Sequence, residues 1–113
     1  HVLPIYRGIL ETIYVDIKKT DKFGCDVNYE RILEAYKEFY KKDYFIKIMG
    51  EEYSEIKDVI NTNNAQISFH LGKNRRLTIV SVIDNLLKGA AGQAVQNMNL
   101  MLGFDELTAL KNE

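Results

Sequence analysis

Hydrophobic and polar positions along this chain alternate with two different periods, and the switches between them mark the elements. From Leu3 to Ile17, Ile5, Ile9, Ile13, Val15 and Ile17 fall on odd positions, with Tyr6, Leu10, Thr12 and Tyr14 between them. This β-branched and aromatic run predicts one long strand, with Gly8 as a point where it can bend. A polar, glycine-bearing loop follows over residues 18–24. Ile32, Leu33, Tyr36, Phe39 and Tyr40 then recur at helical spacing, predicting an amphipathic helix over 29–41. Asn28 is its expected N-cap, with Arg31 where a capping box would carry Glu or Gln. Residues 44–49 form a short strand candidate. Residues 50–64 are polar and irregular, longer than a simple connection needs. Ile67, Phe69 and Leu71 alternate with Gln66, Ser68 and His70, and the turn Gly72-Lys73-Asn74-Arg75 leads into Leu77–Ile83. These two runs predict a hairpin whose second strand, apolar on both faces, lies inside the sheet. Last comes a helical stripe of Ala91, Ala94, Val95, Met98 and Leu102, ending at Gly103, a C′ glycine.

The order strand, helix, strand, strand, strand, helix predicts an α+β fold: a mixed, largely antiparallel sheet packed with helices. No repeat or low-complexity tract interrupts it. At 113 residues the chain is one domain or part of one. A net charge of −1 provides no global basic field, so neither nucleic acid nor an anionic membrane is an expected partner. One cysteine leaves no internal disulfide, which fits a reducing, cytoplasmic setting. His1, in place of Met, opens directly into a strand-like segment, as expected of a piece of a longer chain. The aromatic set Tyr29, Tyr36, Phe39, Tyr40, Tyr44 and Phe45 reads as packing rather than base stacking, because Glu30, Glu34 and Glu38 offset the neighbouring lysines.

Candidate chemistry concentrates in Asp84-Asn85-Leu86-Leu87-Lys88-Gly89-Ala90-Ala91-Gly92-Gln93-Ala94-Val95-Gln96. A polar pair leads from an apolar strand into a helix start rich in small residues, where backbone N–H groups await partners and a ligand can come close. The run from Asp84 to Met101 resembles the C-terminal helix signature of N-acetyl-γ-glutamyl-phosphate reductases, enzymes of arginine biosynthesis. His1-Val2-Leu3-Pro4-Ile5-Tyr6-Arg7-Gly8-Ile9 resembles that family's His-Leu-x-Pro-x-x-Arg-Gly-Ile strand, and Asp58-Val59-Ile60-Asn61-Thr62-Asn63 is similar to its Asp-Val-x-Gly-Ser-Asn segment. Asn61 and Thr62 depart from that last pattern.

The resemblance implies a fold shared with glyceraldehyde-3-phosphate and aspartate-semialdehyde dehydrogenases. Residues 1–113 would be part of the catalytic and dimerisation domain, with 89–113 a helix returning toward an NADP-binding domain. It implies an NADP-dependent reduction of an acyl phosphate through a cysteine thioester, in a homo-oligomer. Gly92 and Gln93 would face the nicotinamide. His1, Arg7 and Lys88 would approach the substrate's anionic groups. The family's Asn-Pro-Gly-Cys nucleophile and His-x-Pro-Glu segments do not occur in this chain, which alone is expected to be catalytically silent.

Read bottom-up, several of these residues keep other roles. Gly92 also suits tight helix–sheet packing with no ligand. Asn85 reads first as a helix cap, otherwise as a cofactor contact. Lys88 belongs either to a solvated face or opposite an anion. Arg7, mid-strand among apolar neighbours, pairs either with Glu11 on the same face or with a substrate carboxylate or phosphate. His70 reads as a surface or interface residue. Cys25, beside Asp26, reads as a loop thiol rather than a nucleophile. The alternative for the whole chain is a free-standing α+β dimerisation or small-ligand module.

Overall fold

The structure, a computed structural model, describes residues 4–111. Strand β1 runs over Ile9–Asp16, not from Leu3 as its alternation predicts. The reason is Gly8, whose φ of +108° only glycine adopts readily. A side chain at this position would also overlap Ile56 Cγ2. The chain therefore turns at Gly8, and Arg7 lies outside the strand.

Helix α1 spans Tyr29–Phe39. Asn28 caps it as expected, its Oδ1 accepting the Arg31 N–H at 2.9 Å. The helix stops before Lys41 because Tyr40 leaves helical geometry while its N–H still reaches Tyr36 O at 3.0 Å. Its apolar face buries Ile32 against Phe69 and Leu77, with Tyr36 packed on Phe69 at 4.4 Å between ring centroids. Strand β2 covers Ile46–Gly50, slightly later than predicted. Strands β3, Ala65–Leu71, and β4, Arg76–Ile83, form the expected hairpin, in register from Leu71 opposite Leu77 to Ala65 opposite Ile83.

The sheet order is β1-β4-β3-β2. β4 thus lies inside the sheet, as its two apolar faces required. β1 and β3 both run antiparallel to β4, while β2 is parallel to β3, so the sheet is mixed and largely antiparallel. A parallel pair needs a crossover, and the polar segment between Gly50 and Ala65 provides it. That segment contains a short 3₁₀ turn, Ile56–Asp58, and the buried Val59. Its Ser54 N–H donates to Ser68 Oγ at 3.2 Å, so the crossover passes over the sheet face opposite Phe69.

After β4 the chain makes a π-helical turn, Leu87–Ala91, that runs into helix α2, Gly92–Leu102. Gly103 ends α2 at φ +72°, and a Cβ there would meet nothing within 4 Å. Gly103→Ala is therefore expected to cost only the left-handed backbone penalty, about 1 kcal/mol, read as a modest shift in a urea unfolding midpoint.

Met98 and Leu102 are exposed, as is Met101, whereas the buried positions of the helix are Gly92, Gln96 and Asn99. Within the described residues, α2 packs inward through its polar side and turns its apolar side outward.

Candidate functional site

The junction where β4 passes into the π-helical turn is organised by Asp84, whose side chain is fully buried. Its Oδ1 accepts the N–H of Leu86 at 2.8 Å and of Leu87 at 3.1 Å. Its Oδ2 accepts the N–H of Asn61 at 2.8 Å and lies 3.4 Å from Arg7 Nη1. Burial alone would raise this carboxyl's pKa; the three backbone N–H groups and the Arg7 guanidinium outweigh it and hold it below its ordinary value. The capping role expected of Asn85 thus belongs to Asp84. Asn85 reaches instead across to the N-terminal arm, its Oδ1 accepting the Gly8 N–H at 2.8 Å.

Arg7 does not meet Glu11. Because the chain turns at Gly8, Arg7 leaves the face that carries Glu11 and meets Asn61 Oδ1 and Asp84. About a third of its side chain, 35%, stays accessible. Asn61 itself adopts φ +63°, which asparagine tolerates better than most residues.

A second buried polar group lies on the inner side of α2. Gln96 Oε1 accepts from Asn63 Nδ2 at 3.0 Å and from Lys88 Nζ at 2.7 Å, while Gln96 Nε2 donates to Glu106 Oε1 at 2.6 Å. Asn99 Nδ2 extends the group to the carbonyls of Glu106 and Thr108 at 3.2 and 2.9 Å. Lys88 is therefore not on a solvated face. Its ammonium lies 5.5 Å from the Phe45 ring centroid, and burial lowers its pKa against the opposing influence of Glu106 and Asp43. Gly92 is buried against Asn63; a Cβ would overlap Asn63 Oδ1 and come within 2.9 Å of Leu87 O. Gln93 is half-buried, with Nε2 donating along the helix to Asn97 Oδ1 at 3.0 Å.

The fold thus sets Arg7 and Asn85 at the Asp84 junction and Lys88 and Gly92 around Asn63 and Gln96, with Gln93 bonded along its own helix, while His1 lies outside the described residues. Cys25 and His70 are exposed and remote from the junction, and no group of His, Cys, Asp and Glu among the described residues could hold a metal ion. No helix among them is long and apolar enough to cross a membrane. Sequence reasoning missed the parts played by Asp84, Gln96 and Glu106. The signal for Asp84 was a lone acid closing an apolar strand, which a sheet tolerates only when the charge is bonded.

This sheet and this junction define a domain of the semialdehyde dehydrogenase class: the chain belongs to the family described as semialdehyde dehydrogenase, dimerisation domain, which it matches over residues 1–85. Among curated proteins it is similar to the N-acetyl-gamma-glutamyl-phosphate reductase of Caldicellulosiruptor bescii, 49% identical over 112 residues covering 97% of this chain and 31% of that protein. The same-named protein of Clostridium novyi is 47% identical over 111 residues, covering 97% of this chain and 30% of that protein. The chain thus spans about a third of the length of these relatives. In fold it is similar to aspartate semialdehyde dehydrogenase II from Vibrio cholerae, with TM-score 0.64 and 17% identity, covering 89% of this chain and 29% of that one. A probable aspartate-semialdehyde dehydrogenase from Pseudomonas aeruginosa also gives TM-score 0.64, at 20% identity, covering 88% and 28%.

Proposed function

We propose that this chain serves an N-acetyl-γ-glutamyl-phosphate reductase of the cytoplasm. That enzyme reduces N-acetylglutamyl 5-phosphate with NADPH to N-acetylglutamate 5-semialdehyde and phosphate, in arginine biosynthesis. One observation carries the reading beyond similarity: the three sequence blocks that resemble the family are hydrogen-bonded to one another. Arg7 and Gly8 of the first block join Asn61, Asp84 and Asn85, and Asn63 of the second joins Gln96 of the third.

In this reading Arg7, with Lys88 and His1 nearby in role, receives the anionic oxygens of the substrate. A guanidinium suits that task because its planar fork matches carboxylate and phosphate alike. The first turn of α2 fits an amide partner. Gln93 is half-buried at the helix start, and its bond to Asn97 is a side-chain contact along one helix that a ligand amide can replace. Gly92 lets that turn sit on Asn63, which fixes the height of Gln93, and Asn85 ties the turn to the N-terminal arm. The bound nicotinamide supplies the hydride. Attack on the acyl phosphate by a cysteine thiolate is assigned to a residue outside this chain, because Cys25 is an exposed loop thiol far from the junction.

Two uncovered apolar surfaces fit the rest of the assignment. Ile9, Ile13 and Val15 of β1 share the sheet face of Phe69 and Leu77 but stay partly exposed there, and suit a subunit interface in a homo-oligomer. The outward stripe Met98, Met101 and Leu102 suits contact with a cofactor domain.

The test is an assay of the complete protein in the aldehyde-oxidising direction. NADP⁺ reduction by N-acetylglutamate 5-semialdehyde is expected to require inorganic phosphate. Arg7→Ala is expected to raise a substrate KM at least about tenfold, the loss of one charge-assisted contact. No phosphate-dependent NADP⁺ reduction would overturn the assignment.

A further inference from the structure

Arg7 is gripped at one edge by two residues that are themselves fixed. Its Nη1 donates to Asn61 Oδ1 and lies 3.4 Å from Asp84 Oδ2. Asp84 cannot shift, because it is fully buried and its carboxylate accepts three backbone N–H groups. Asn61 is cross-linked to it, since the Asn61 N–H is one of those three. The left-handed backbone at Asn61 and the turn at Gly8 complete the frame. A long arginine side chain samples many rotamers unless such contacts hold it, and a pre-set guanidinium binds an anion without first losing that freedom.

We propose that Asn61 and Asp84 are positioning residues that lock the Arg7 guanidinium so that its accessible part receives an anionic oxygen group of the substrate. This rests on the reading above in which Arg7 meets substrate. The chemistry fits either the substrate's carboxylate or its phosphoryl group, and the reverse reaction separates them. There the aldehyde C–H leaves as hydride to NADP⁺, a phosphate oxygen bonds to the acyl carbon, and a proton is released. The carboxylate thus arrives on the aldehyde and the phosphoryl group arrives as free phosphate, so each has its own KM.

The experiment compares Asn61→Gly, Asn61→Asp and Arg7→Ala in the complete protein. Glycine keeps the left-handed backbone and removes only the side-chain acceptor, so the variant is expected to fold with an unchanged thermal midpoint. Asn61→Gly is expected to raise the KM of one anion by about tenfold, the aldehyde if Arg7 grips the carboxylate and phosphate if it grips the phosphoryl group. The KM for NADP⁺ is expected to stay within about twofold. Asn61→Asp restores the acceptor and should recover the lost KM.

If Arg7→Ala raises a substrate KM and Asn61→Gly leaves both untouched, the positioning role is wrong while the reading of Arg7 survives. If Arg7→Ala moves neither KM, that reading fails and takes the positioning role with it. An Asn61→Gly effect of equal size on aldehyde and NADP⁺ would mark a merely structural residue and also overturn the proposal.

Discussion

Asp84→Ala is expected to destabilise this domain by about 3–5 kcal/mol, a large share of what a domain of this size has. The substitution strips three backbone N–H groups of their acceptor and leaves Arg7 without its buried counter-charge. Part of that charge penalty is relieved because Arg7 is 35% accessible, so the orphaned N–H groups of Asn61, Leu86 and Leu87 dominate the loss. Asp84→Asn should recover only part of this, since its oxygen can still accept from Leu86 and Leu87 while its amide nitrogen presents a donor to the Asn61 N–H and to Arg7. The same carboxylate sets an acid limit. Its folded pKa is depressed below the ordinary 3.8, so its stabilising contribution is complete above that value. It is lost as pH falls through the folded value. Urea midpoints followed from about pH 5 down to about pH 2 should therefore fall once the pH drops below the ordinary carboxyl value in the native chain, and this component of the slope should vanish in Asp84→Ala.

Gly92→Ala is the second large effect, about 2–4 kcal/mol. A helix interior normally prefers alanine to glycine, so propensity alone predicts a gain of about 1 kcal/mol. Packing reverses the sign, because the new Cβ would overlap Asn63 Oδ1 and crowd Leu87 O at 2.9 Å. Asn63 cannot step aside cheaply, being 2% exposed and bonded to Gln96. A double-mutant cycle with Asn63→Ala measures this: the two substitutions should be less damaging together than their sum by about 1 kcal/mol or more. Additive losses would mean that Gly92 is set by the Leu87 carbonyl, or by a ligand, rather than by Asn63.

How much of this was legible in the sequence depended on how local each feature is. The β3–β4 hairpin was read residue for residue at β3, because alternation and a four-residue turn sit side by side in the chain. The interior place of β4 followed from its two apolar faces, and the Asn28 cap from its position ahead of a helical period. The start of β1 was misplaced because alternation continues through Gly8, while the turn there, at φ +108° and with Ile56 of the distant crossover packed against it, leaves no mark in the period. That one turn also moved Arg7 from Glu11 to Asp84. The stripe of α2 was real, but periodicity states that a face is apolar and not what covers it; here the polar Gln96 and Asn99 are the buried residues. Lys88 was left between a solvated face and an anion because its acceptor, Gln96, lies on a different helical segment. In the site, then, residue types and motif were visible early. Their partners were set by contacts across the chain and became visible only in three dimensions.

The most direct test is substrate discrimination by the complete protein, because the fold is shared with aspartate semialdehyde dehydrogenases while the curated relatives carry another name. With inorganic phosphate and NADP⁺ present, kcat/KM would be compared for N-acetylglutamate 5-semialdehyde and aspartate semialdehyde. A preference for the acetylated, longer aldehyde of about a hundredfold or more is expected, within the range that differences in chain length and polar contacts produce. Equal turnover of the two, or a preference for aspartate semialdehyde, would contradict the account.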